Sequence, residues 1–176
     1  MDFVKAFTAH VNDRLAADNG FRTEDVMEAF RTVGHRPELL WTIVRQVALE
    51  LGQAPNLGEL LAKGALNVQA SFWAEYEGEY ALLSTIQKAV LEIMAIRCTD
   101  QRPLAPFAEK TIQEIAKIAR ALGSDITPTA QSIQAALEAL REKGIIWRSG
   151  RGAYTLEDSG MADWLISLQD EYRNAP

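Results

Sequence analysis

The chain contains one strand-like segment, whereas its other apolar residues follow helical spacing. This segment limits the folds that the chain can adopt. Residues 144–160 read GIIWRSGRGAYTLEDSG. Two short apolar runs, IIW and AYTL, flank a basic tip whose glycines, Gly150 and Gly152, suit a tight turn. The pattern predicts one β-hairpin, with Trp147 and Tyr154 facing the core from its two strands.

The residues before position 82 predict a bundle of helices. The first amphipathic segment ends at an Asn-Gly pair, and the second has Thr23 as its expected N-cap and Gly34 as its stop. The third begins with Pro37, which is tolerated at the first helical position because its missing N–H costs nothing there. A fourth helix is expected from Leu57 onward.

The residues from 82 onward predict three further helices before the hairpin. Residues 82–97 have the spacing of an amphipathic helix, and a second helix ends at Gly123. The third is expected to have Thr127 as N-cap, Pro128 at its first position and Gly144 as its stop. Its predicted inward face consists of Ile133, Ala136, Leu137 and Leu140.

Three helices followed by a hairpin are the order of a winged helix-turn-helix. We therefore predict a mainly α fold, with a helical domain over residues 1–81 and a winged-helix domain over residues 82–176. The recognition helix would span residues 128–143, and the wing, of two or three strands, residues 147–154. A short closing helix follows.

Charge is distributed unevenly along a chain whose net charge is −6. Residues 1–81 carry seven basic and twelve acidic side chains, and residues 157–176 carry one and five. Residues 82–156 carry ten basic and seven acidic side chains, so this segment is the basic part of the chain. A modest positive charge allows contact with the phosphates of duplex DNA without requiring it.

Candidate DNA contacts come from the second and third helices of this segment and from the wing tip. Helix residues near an N-terminus and basic side chains are the usual contacts to bases and phosphates. The candidates are Lys110, Lys117, Thr129, Gln131, Ser132, Gln134, Arg141, Arg148, Ser149 and Arg151. Glu138 and Glu142 would repel phosphate, so strong base readout is not expected.

Other kinds of chemistry have little support in the residues. A single cysteine, Cys98, excludes a disulfide within the chain, and two histidines, His10 and His35, are too few and too far apart to suggest a metal centre. No catalytic residue is predicted. No apolar run reaches the roughly 18 residues of a membrane span. A cytoplasmic, bacterial-type protein that does not contact membranes is the expectation.

The segment GHRPELLWTIV resembles a helix start in the lid domain of AAA+ and STAND-type ATPases, the group that includes the archaeal ATPase family. The matching positions are Gly34, His35, Arg36, Pro37 and Leu40. The resemblance implies a lid followed by a winged helix. It also implies that this helix start faces the nucleotide, with Arg36, or else Arg45, as a sensor arginine.

The chain lacks a phosphate-binding loop of the form G-x-x-x-x-G-K-[ST]. We therefore expect no enzyme activity and no cofactor in the chain itself. It would be the C-terminal part of a longer ATPase whose N-terminal core binds ATP and Mg²⁺. Its winged helix would bind double-stranded DNA or dock on that core.

The sequence is also compatible with two other functions. A stand-alone winged-helix transcription regulator would self-associate as a dimer and bind a short palindromic duplex. A protein–protein adaptor would use the same fold without meeting nucleic acid, and the glutamates of the third helix favour it.

Overall fold

A computed structural model describes residues 2–15, 20–49, 56–99, 104–150 and 153–174. These ranges contain eight helices and one two-stranded antiparallel sheet. The predicted mainly α class with a small hairpin is thus confirmed. In chain order the elements are α1 (Asp2–Leu15), α2 (Thr23–Thr32), α3 (Pro37–Leu49), α4 (Leu57–Ala81), α5 (Thr85–Thr99), α6 (Glu109–Ala121), α7 (Ala130–Glu142), β1 (Ile146–Gly150), β2 (Ala153–Leu156) and α8 (Ser159–Asn174).

The chain divides into two compact units, unit 1 up to Ala74 and unit 2 from Glu75. The division falls within α4. The domain boundary predicted from the sequence, between residues 81 and 82, lies instead at the C-terminal end of the same helix.

Unit 1 buries the apolar faces of its helices in one core. Leu40 and Ile43 of α3 and Leu61 of α4 are fully buried. The Phe7 ring of α1 meets the Trp41 ring of α3 edge-on, with 4.8 Å between the centroids. Helix α1 is thereby held against α3 by an aromatic contact as well as by buried area.

Glycines follow the ends of α2, α6 and α7 where the sequence predicts them, whereas the Asn19 of the predicted Asn-Gly stop after α1 lies outside the described residues. Gly34 and Gly144 have φ values of 66° and 72°, which L-residues with a side chain rarely adopt. After α7, the Gly144 N–H donates to the Arg141 carbonyl at 3.0 Å and the Ile145 N–H to the Leu140 carbonyl at 3.1 Å. These bonds satisfy the last carbonyls of the helix and turn the chain into β1.

The predicted N-caps of α2 and α7 are wrong. The N-cap of α2 is Arg22, which makes no side-chain capping bond, and Thr23 is already the first helical residue. Helix α7 begins at Ala130 with Thr129, rather than Thr127, as its N-cap. Thr129 and Ser132 form a reciprocal capping box, which fixes the helix start two residues later than predicted.

Helix α5 is the central element of unit 2. The prediction that this helix is amphipathic is wrong. The helix packs against α6, α7, α8 and β2. Every residue from Ala89 to Ala95 is buried, including Glu92. Neighbours on several sides leave the middle of α5 no solvent-facing stripe.

The hairpin places its two strand faces in different environments. Ile146 pairs with Leu156 and both are buried, whereas Trp147, paired with Thr155 on the other face, is 48% exposed. The prediction that Trp147 faces the core is therefore wrong, because side chains alternate along a strand and Ile146 occupies the inward position. Tyr154 is half-buried. Contacts of β1 with α7 and of β2 with α5 hold the hairpin on the helices.

Candidate functional site

The hydroxyl groups at the start of α7 are used by the helix itself. The Thr129 Oγ1 accepts from the Ser132 N–H at 3.1 Å, and the Ser132 Oγ accepts from the Thr129 N–H at 2.9 Å. The Ser132 hydroxyl also donates to the Thr129 carbonyl at 2.9 Å. Two predicted DNA contacts are thus already engaged in capping, which makes them poor readers of base edges.

The outward face of α7 offers little for base recognition. The Gln134 Nε2 donates to the Glu138 Oε1 at 2.7 Å, so this amide is held along the helix by an acidic residue. Gln131 and Arg141 are exposed. Arg141 forms no ion pair with any residue that the structure describes. Arg141 is therefore the residue of α7 best suited to meet a phosphate.

The hairpin adds a second exposed arginine. The Arg148 Nε donates to the Gly150 carbonyl at 3.1 Å, which bends the side chain back over its own strand. A guanidinium has five N–H donors, so this bond leaves most of them for a ligand. Arg151 and the side chain of Ser149, both predicted contacts, lie outside the described residues.

The two predicted lysines of α6 lie in different surroundings. Both Lys110 and Lys117 are exposed. Lys117 borders an open groove between helices of unit 2, and Lys110 does not. The structure therefore separates two residues that the sequence grouped as one set of DNA contacts.

The start of α3 in unit 1 holds the predicted nucleotide-facing residues. Pro37 is the first residue of the helix, as predicted. The Arg36 guanidinium lies 4.8 Å from the centre of the Phe72 ring, and its Nε donates to the Glu38 Oε1 at 3.1 Å. Arg45 lies over the Trp41 ring at 5.9 Å. Both arginines have aromatic partners within unit 1, and Arg36 also has a carboxylate partner.

The groove beside Lys117 has a volume of about 910 Å³. It is lined by α5, α6 and α8. The apolar part of the lining is formed by Ile93, Ile96, Ile118, Ala121 and Leu122. The polar part is formed by Glu92, Arg97, Glu114, Lys117 and Gln169.

Glu92 is a buried acid that the sequence reasoning missed. It is 7% exposed. Its Oε1 accepts from the Tyr80 hydroxyl at 2.5 Å, and its Oε2 accepts from the Gln169 Nε2 at 3.2 Å. Burial raises the pKa of the Glu92 carboxyl, and it outweighs the two hydrogen bonds and the nearby charge of Lys88, which lower it. The signal in the sequence was a lone acid inside the apolar run AVLEIMAI.

The raised pKa of Glu92 predicts that the free energy of unfolding depends on pH. Above the ordinary value of 4.5, the unfolded chain releases this proton while the folded chain still holds it. The free energy of unfolding therefore falls as pH rises, until the folded-state pKa is passed. In Glu92→Gln this contribution is absent. Urea unfolding between about pH 4 and pH 8 should show the variant gaining stability relative to the parent as pH rises.

The control for this prediction is Glu77→Gln, which removes one carboxylate from the exposed surface of α4. The raised pKa of Glu92 would be contradicted if the stability of Glu92→Gln relative to the parent protein stayed constant, or fell, as pH rises. Circular dichroism should show the same helix content in all three proteins.

The described residues contain neither a metal-binding cluster nor a membrane-spanning helix. No group of three or more His, Cys, Asp or Glu side chains in them is arranged to hold a metal ion. None of the helices in those ranges is both long and apolar enough to cross a membrane.

Comparison with known proteins gives no match. No protein-family model, no curated protein and no solved structure is similar to the chain. The function is therefore inferred from the residues and their geometry.

Proposed function

We propose that unit 2 is a winged helix-turn-helix module that holds duplex DNA by its phosphates, without reading base sequence. The order α5, α6, α7, β1, β2 supports the module, together with the packing of α5 against α6, α7 and β2. A connection over residues 122–129 joins α6 to α7, which would be the recognition helix.

The proposal rests on a contrast between two sets of side chains. The polar side chains at the start of α7 already have hydrogen-bond partners, whereas two exposed arginines have no ion-pair partner among the described residues. Thr129, Ser132 and Gln134 already have partners within α7 and its cap. Arg141 and Arg148 are exposed, and neither forms an ion pair with the described residues. Phosphate oxygens accept from arginine regardless of sequence, whereas base edges need free donors and acceptors in register.

The test is the double variant Arg141→Gln, Arg148→Gln in a fluorescence anisotropy titration of a labelled duplex. The slope of log affinity against log salt should become shallower by about 2, because each phosphate contact contributes roughly 0.9. Arg22→Gln with Arg31→Gln is the matched control, since it removes two exposed positive charges from unit 1. Equal salt slopes for the parent and the first variant would reject these two contacts.

We further propose that the chain is the C-terminal part of an AAA+ or STAND-type ATPase. The glycine stop at Gly34 followed by Pro37 at the start of α3 supports the resemblance to a lid. ATP and Mg²⁺ would be bound by an N-terminal core of the longer protein, and Arg36, Pro37 and Arg45 would face it. The chain itself would not hydrolyse ATP.

A second candidate function is docking of the winged helix on that ATPase core. The exposed Trp147, next to Arg148 on β1, favours it, because tryptophan and arginine carry much of the binding energy at protein interfaces. Glu138 and Glu142 on α7 also suit a protein partner better than DNA. Trp147→Ala should weaken binding to the purified core if docking occurs, and it should leave the salt slope for duplex DNA unchanged.

A further inference from the structure

The groove between α5, α6 and α8 has the dimensions and lining of a small-molecule site. Its volume of about 910 Å³ lies within the roughly 300–1,000 Å³ typical of such sites. Half of its described lining residues are apolar, and Ile93, Ile96 and Ile118 supply three branched side chains from two helices. An apolar body would gain burial against this wall.

The groove is lined by two acidic side chains, Glu92 and Glu114, and two basic ones, Arg97 and Lys117. Arg97 and Glu114 form an ion pair, with 2.6 Å between Nη2 and Oε2. Both Glu92 oxygens accept hydrogen bonds, from Tyr80 and Gln169. Lys117 is exposed at the groove, and no carboxylate of the described residues pairs with it. Because Glu92 is buried, Lys117 is the exposed charge in the described lining that has no ion-pair partner, and it suits the negatively charged end of a ligand.

The size of the groove argues against a docked helix. An α-helix is about 10 Å wide and rises about 5.4 Å per turn, so a volume of this size holds only about two turns. Such a short segment is marginal as a helix in water. A small ligand fits the same volume without the cost of ordering a peptide backbone into a helix.

We propose that this groove binds a small organic anion with an apolar body, of the class of medium-chain carboxylates. The aliphatic part would lie against Ile93, Ile96 and Ile118, and the carboxylate would meet the Lys117 ammonium. The inference is independent of the proposed winged-helix function, because its readout uses no nucleic acid.

The first test is a titration of the full chain, labelled at the isoleucine methyl groups, with decanoate below its micelle-forming concentration. Saturable NMR shifts are expected at Ile93, Ile96 and Ile118. The methyl groups of Ile133 and Ile146, buried in unit 2 but outside the groove lining, should move little. No shift, or equal shifts at all five isoleucines, would overturn the proposal.

Substitutions separate the anion contact from the apolar one. Lys117→Gln should weaken decanoate binding by about three- to fivefold, because one exposed ion pair contributes about that much to affinity. The same variant should bind decanol as the parent protein does. Lys110→Gln, an exposed lysine of the same helix away from the groove, should change neither. Ala121→Phe, which fills the groove, should weaken both ligands.

Equal decanoate affinity in Lys117→Gln and the parent protein would contradict the contact between the carboxylate and Lys117. Unchanged binding of both ligands in Ala121→Phe would show that they bind elsewhere, and it would overturn the site. Because Lys117 and Ala121 are exposed, both variants are expected to fold.

Discussion

Leu137→Ala is expected to lower the free energy of unfolding of unit 2 by about 2–5 kcal/mol. Leu137 is fully buried on the face of α7 that also buries Ile133 and Leu140, and α7 packs against α5. Removing its three terminal carbons deletes buried apolar contacts and leaves a cavity that surrounding helices can fill only in part. Hydrogen exchange of the α5 and α7 amides, with urea unfolding, would measure the loss.

The matched control is Leu82→Ala, the same chemical change within the same unit. Leu82 is 81% exposed, so the expected change is at most about 0.5 kcal/mol. If the two variants lost equal stability, or if Leu137→Ala cost less than about 1 kcal/mol, the inward orientation of α7 would be wrong. The orientation matters because it determines which residues of α7 remain available to a ligand.

Gly64→Ala is expected to destabilise the protein, whereas Gly78→Ala in the same helix is expected to stabilise it. A Cβ at position 64 would lie 2.8 Å from the Cγ2 of Ile43, a fully buried side chain of α3. A Cβ at position 78 would meet nothing within 4 Å. Both changes share the helix-propensity gain of alanine over glycine. The difference between them, about 1–3 kcal/mol, therefore reports the steric cost.

A second substitution identifies the atom responsible for that cost. Ile43→Leu keeps the side-chain volume but moves the branch from Cβ to Cγ, so the methyl group that meets position 64 is gone. Gly64→Ala should then cost less in the Ile43→Leu background than in the parent, as urea unfolding of the four proteins would show. Equal costs in both backgrounds would contradict the close packing of α3 on α4.

The C-terminal ends of α2 and α7 and the start of α3 were predictable from sequence because their causes are local. A glycine with positive φ after α2 and after α7, and a proline at the start of α3, each act within one turn. The start of α7 was missed because Ser132, rather than Glu or Gln, completes the capping box with Thr129. Thr127 followed by Pro128, a residue type common at the first helical position, suggested the earlier start.

The groove and the outward position of Trp147 depend on tertiary structure, which local patterns do not report. Gln169 and Glu92 are 77 residues apart in sequence and meet only because α8 packs on α5. The periodicity of α5 indicated one apolar face, but the packing of several elements around it buries the whole central part. Aromatic character suggested an inward Trp147, while strand alternation placed Ile146 inward instead.

The most direct test of the proposed DNA contact is a salt series of anisotropy titrations with two unrelated duplexes of equal length. Phosphate binding predicts equal affinities for the two sequences and a linear fall of log affinity with log salt, to which Arg141 and Arg148 together contribute about 2 units of slope. Absence of binding at the lowest salt concentration, or a strong preference for one sequence, would contradict the proposal.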